Sequence, residues 1–169
     1  MPERSLERAK TLPSKGKFLK ALKACQIAEQ ESEAWSNTRY IARSQLGIGT
    51  CKLFLGHPSS ALHKLRKAAQ TFRRTRDWFR LARSYVKMAM AYERLGTLSG
   101  ARNVARRALR HYTELRKNRE VALCRLLLFS MGGFTRTRAV KALERSRVTF
   151  RAQHMMGCVA QCEMNLALL

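Results

Sequence analysis

Two stretches of this chain, IARSQLGIGTCKLFLG (Ile41–Gly56) and LARSYVKMAMAYERLG (Leu81–Gly96), say nearly the same thing 40 residues apart. Each opens on an aliphatic residue followed by Ala-Arg-Ser, carries apolar residues at helical spacing, and closes on Leu-Gly. A fixed repeat constrains a fold more than composition does. Each unit must make one supersecondary element that buries its apolar face against its neighbours.

The phase extends beyond the pair. Gly followed five residues later by Ala recurs as Gly16/Ala21, Gly56/Ala61 and Gly96/Ala101, and a second Ala follows seven residues on, at Ala28, Ala68 and Ala108. Phe72 and Tyr112 come four residues after the last two of these, and Ser146/Phe150 repeats that step with a period of 38. A two-residue deletion is therefore expected, absorbed near Gly132–Ala139. The pattern reads as helical hairpins. Gly16, Gly56 and Gly96 are expected to end helices, where glycine takes the left-handed conformation without strain. Pro58 sits where the next helix begins and its missing N–H costs little. Gly49 and Ala89 give small faces for close helix approach, and the Ala pairs seven apart give the matching faces. Leu46, Leu53, Tyr85, Met88, Leu62, Leu65 and Leu143 fill the space between. Helices are predicted over 15–31, 35–55, 59–75, 78–95, 98–116, 119–131, 136–151 and 153–168, with 1–14 a short helix or arm. The fold class is all-α, with almost no strand.

AYERLGTLSGARNVARRAL (Ala91–Leu109) resembles the core of the tetratricopeptide repeat (TPR) family. Tyr85, Ala89, Tyr92, Gly96, Ala101 and Ala108 fill its pattern of aromatic, small residue, aromatic, turn glycine and two alanines. GKFLKALKACQIA (Gly16–Ala28) matches the turn and second helix. The period of 40 is similar to the long-helix subclass of LGN-type and rapsyn-like scaffolds. The resemblance covers 15–169 and implies a right-handed α-solenoid of about three and a half antiparallel hairpins.

The resemblance also implies a concave groove lined by the first helices, which holds an extended or helical peptide. By the family's phase, Arg43 and Arg83 face it, with Leu46, Leu53, Val86 and Met90 beside them: an apolar channel with basic hooks. Thr50 and Met90 stand where the family's carboxylate clamp for chaperone tails needs Asn, which argues against that ligand.

Charge points the same way. The net charge is +23, and residues 34–169 hold 27 Lys and Arg against six acids. Such a field attracts polyanions. The expected ligand is an acidic, amphipathic protein segment. RNA or another polyanion is the alternative, tracked by Arg102, Arg106 and Arg110 with Arg73 and Arg74. Few exposed aromatics are interleaved there for base stacking.

No catalytic constellation stands out, and no cofactor motif occurs: Gly47-Ile48-Gly49 lies inside a helical pattern, and Glu29, Glu31 and Glu33 read as solvated. His154, Cys158 and Cys162 fall at i, i+4 and i+8, which spreads them over about 12 Å of helix, too far for one ion. They read as packing residues, so no metal is expected. The five cysteines sit in apolar patterns, as in a reducing compartment. With no apolar run long enough to span a bilayer, the expected location is the cytoplasm, with the nucleus open. The chain closes on the apolar stretch MNLALL, so the last repeat is expected to be incomplete and to favour self-association.

Overall fold

Seven turns among the described residues are built on one hydrogen-bonding scheme, and that scheme sets the dimensions of the repeat. The computed structural model describes residues 15–169; the N-terminal arm expected at 1–14 lies outside the described residues. Eight helices and no strand occur among the described residues. They are α1 (Lys15–Ala34), α2 (Thr38–Phe54), α3 (Pro58–Arg74), α4 (Trp78–Arg94), α5 (Leu98–Glu114), α6 (Asn118–Ser130), α7 (Arg136–Ala152) and α8 (Met156–Ala167).

At the end of α2 the His57 N–H donates to the Lys52 carbonyl (2.9 Å) and the Gly56 N–H to the Leu53 carbonyl (3.3 Å). This is the Schellman arrangement, which satisfies carbonyls the helix leaves open. The same two bonds close the turns at Ser36/Asn37, Arg76/Asp77, Gly96/Thr97, Arg116/Lys117, Gly132/Gly133 and His154/Met155. The first residue of each pair has φ between 50° and 89°. In six of the seven turns the second residue is already the N-cap of the next helix. Helices α2 to α5 have 17 residues each, so helix plus three-residue turn repeats every 20 and a hairpin every 40. Pro58 occupies the first turn of α3 as expected. Gly16 does not end a helix; it lies inside α1.

The third hairpin explains the shortened period. Helix α6 has only 13 residues, and the turn from Met131 to Thr135 is two residues longer than the others. Four residues lost and two gained make the two-residue deletion. A Cβ on Gly133 would lie 2.7 Å from the Leu128 carbonyl oxygen, so only glycine fits there. Arg102 and Arg106 of α5 donate to the Met131 and Gly133 carbonyls (3.1 and 3.2 Å), which pins the turn.

Each helix packs on the next in sequence, and α2 also touches α4. The result is an α-helical repeat solenoid. Its core runs along the stack: a main cluster from Ala42 to Met131, continued by Ala122, Leu143, Phe150, Val159 and Cys162 at one end and Cys25, Ala28 and Ile48 at the other. Ala21, Ala28, Ala61, Ala68, Ala101 and Ala108 are all buried. Their lack of side-chain bulk lets the helices close on one another. No described helix is long and apolar enough to cross a membrane.

Candidate functional site

The repeated Ala-Arg-Ser divides its side chains between core and surface. Ala42, Ser44, Ala82 and Ser84 are buried, whereas Arg43 is half-exposed and Arg83 exposed. Arg43 lies over the Tyr40 ring, 4.9 Å from its centroid. Val86 and Met90 are half-buried against the edge of the main core. Two residues expected beside them are corrected: Leu53 is 0% and Leu46 8% exposed. Both are core side chains with almost no surface to offer a ligand. The Thr50 hydroxyl is turned inward onto its own helix, donating to the Leu46 carbonyl at 2.8 Å.

Because α2 and α4 touch, their outward side chains form one seam. Where the two helices end, Phe54 stacks on Phe18 of α1 (centroids 4.8 Å apart). Lys87 Nζ and the Arg94 guanidinium lie over the Phe54 ring at 5.1 and 5.9 Å. Arg94 also donates to the Leu53 carbonyl. Burial, and then the charge of Arg83, holds the Lys87 ammonium below its ordinary pKa of 10.5. That is the signature of a cation without a counter-charge.

An acidic ligand bound here restores the missing counter-charge and raises that pKa. Binding of such a ligand would be strongest below the free protein's depressed value and would weaken as pH rises through it. Titration calorimetry of an acidic peptide in buffers of different ionisation enthalpy is expected to show proton uptake on the alkaline side, and Lys87→Gln to abolish the uptake.

Where α2 and α4 begin, the seam opens into a recess of about 430 Å³. Arg39, Arg43 and Tyr40 of α2 form one wall, Arg76, Asp77 and Arg80 the other, and Phe72 and Thr75 complete the lining. The Asp77 carboxylate is already committed. It accepts from the Arg80 backbone N–H (3.1 Å) as the N-cap of α4, and from the Arg80 guanidinium (2.5 Å). No carboxylate lies within ion-pairing distance of Arg39, Arg43 or Arg76 among the described residues. No family model and no curated protein matches this chain, so the reading rests on the geometry itself.

The basic residues of the alternative reading are put to other uses. Arg102 and Arg106 hold the α6–α7 turn. Arg73 donates to the Tyr85 hydroxyl at 2.8 Å. Only Arg74 and Arg110 of that set remain exposed without such a bond.

Several other sequence readings shift. Glu29 is not solvated; it is buried and paired with Lys64 at 2.8 Å, tying α1 to α3. His111 stacks between Trp78 and Tyr85 (5.6 and 6.2 Å). His154 takes the left-handed position of the last turn and does not share a helix face with Cys158 and Cys162. No group of three metal-ligating side chains comes together among the described residues. Four cysteines are buried and Cys158 is half-buried. Burial pushes the Cys124 thiol up to about 12, and the Cys25 thiol is raised by its hydrogen bond to Cys51, then by burial.

Residues that sequence reasoning missed are Arg39, Arg76, Arg80, Lys87 and Arg94. Arg76 carried a usable signal. It stands 20 residues after Gly56 and 20 before Gly96, at a turn position that only the half-period reveals.

Proposed function

We propose that this chain is a non-enzymatic interaction scaffold of the tetratricopeptide type, and that it binds an acidic, amphipathic protein segment along the α2/α4 seam. The observation that carries the reading is the depressed Lys87 in a seam that also holds Arg43, Arg83 and Arg94. No carboxylate pairs with these cations among the described residues, so the seam favours an anionic occupant. Val86 and Met90 beside them supply apolar contact. Arginine suits this role because its planar fork takes a carboxylate bidentately. The cytoplasm is the compartment that agrees with five unpaired thiols.

The experiment is capture from cell lysate, with and without nuclease, at two salt concentrations. The wild-type chain is compared with Arg43→Glu/Arg83→Glu and with Arg102→Glu/Arg106→Glu. Charge reversal in the seam is expected to weaken capture of nuclease-resistant protein partners by about tenfold or more, with modest salt dependence. Material that vanishes with nuclease, falls steeply with salt and ignores the seam reversal would overturn the reading in favour of RNA. Melting curves accompany the second pair, because Arg102 and Arg106 hold a turn and their loss lowers stability.

A further inference from the structure

The recess at the start of α2 and α4 differs from the rest of the seam in concentration of charge. Four guanidinium groups against one carboxylate leave a net charge of three around one cavity. The carboxylate is silenced by its helix cap and by Arg80. The ends of both helices are also occupied, since the Asn37 side chain accepts the Tyr40 N–H (3.3 Å) as Asp77 accepts that of Arg80. Anion affinity here therefore belongs to the arginine side chains. A lone peptide carboxylate carries one charge and two acceptor oxygens. A phosphoryl group carries nearly two charges and three strong acceptors, and arginine clusters match it best. The volume lies within the ~300–1,000 Å³ range of ligand pockets, which leaves room for a side chain as well as its phosphate.

We propose that the recess formed by Arg39, Arg43, Arg76 and Arg80 is a phosphoryl-binding site, and that its occupant is a phosphorylated side chain of a peptide continuing into the α2/α4 seam. The assignment deepens the peptide-scaffold reading and rests on it. A peptide is favoured over a nucleic acid because Arg73, Arg102 and Arg106, which a phosphate backbone would have to follow, already hydrogen-bond within the fold.

The first test uses the full chain, labelled with ¹⁵N, and reads the arginine Nε–H resonances. Phenyl phosphate is titrated against phenylacetate at constant ionic strength. Phenyl phosphate is expected to shift Arg39, Arg43, Arg76 and Arg80 saturably, and to bind about tenfold tighter than phenylacetate. Arg39→Gln with Arg76→Gln removes most of that difference. Both are exposed residues outside the proposed groove set, and circular dichroism confirms that the fold is retained. Equal affinity for the two anions overturns the proposal, as does a shift spread evenly over Arg74 and Arg110.

The second test competes bound phenyl phosphate with a phosphoserine peptide built from Glu, Leu and Ala, with vesicles containing a phosphoinositide, and with polyuridine. Matched phosphate concentrations are used. The peptide is expected to displace best; stronger displacement by vesicles or RNA overturns the peptide assignment. Arg83→Glu separates the two claims, since Arg83 lies outside the recess. If the seam carries no peptide, Arg83→Glu leaves phosphopeptide affinity unchanged while Arg39→Gln/Arg76→Gln still lowers it. If the phosphoryl assignment is wrong, the pattern reverses.

Discussion

Phe72→Ala is expected to lower the stability of this protein by about 3–5 kcal/mol, the cost of removing a fully buried aromatic ring and leaving its cavity. Phe72 is 1% exposed and belongs to the main core. It lies in the last turn of α3, and its carbonyl accepts the Asp77 N–H that closes the turn into α4 (2.9 Å). The ring also lines the arginine recess. In a stack where each helix packs on its sequence neighbours, stability is a sum of unit and interface terms. Loss of the ring weakens the interface between α3 and α4. Urea unfolding followed by circular dichroism is expected to show a lower midpoint and a broader transition, as α1–α3 uncouple from α4–α8. A loss under about 1 kcal/mol would mean that the neighbours collapse into the space, and that the ring is not the interface element assigned here.

The fold was legible because it is written at the level of residue size. Glycine and alanine recurring every 40 residues mark turns and close contacts, and neither needs its partner to be known. Four of the seven turns carried no such mark. Ser36, Arg76, Arg116 and His154 hold left-handed backbone with side chains that ordinarily avoid it, because the two Schellman bonds fix the geometry from outside the residue. The candidate site was legible only in part, for a different reason. Arg43 and Arg83 stood out because they repeat. Lys87, Arg94, Arg39 and Arg80 do not repeat, and they matter through α2–α4 proximity, which no local pattern contains. Leu46 and Leu53 misled because helical phase gives direction and not depth: both are buried in the main core.

The second large effect concerns how the repeat tolerates changes of size. Gly49 of α2 faces Leu65 of α3. A Cβ there would stand 2.7 Å from Leu65 Cγ and 3.2 Å from the Ala61 carbonyl oxygen. Forty residues on, the equivalent positions hold Ala89 and Ala105, both fully buried. One hairpin thus uses nothing against leucine, and the next uses methyl against methyl. Leu65→Ala alone is expected to cost about 2–5 kcal/mol through the cavity it leaves. Gly49→Ala alone gains about 1 kcal/mol of helix propensity but incurs about 1–3 kcal/mol of overpacking, because Leu65 is fully buried and the Ala61 backbone stands behind the new methyl group. Combined, the substitutions reproduce the pairing the chain already uses at Ala89 and Ala105. The double variant is therefore expected to be more stable than the sum of the singles by about 1–3 kcal/mol, a coupling that a double-mutant cycle in urea measures directly. Strict additivity would show that the missing Cβ at Gly49 and the bulk of Leu65 do not answer each other. The 40-residue phase would then be a record of turn spacing alone, without complementary packing between the helices of a hairpin.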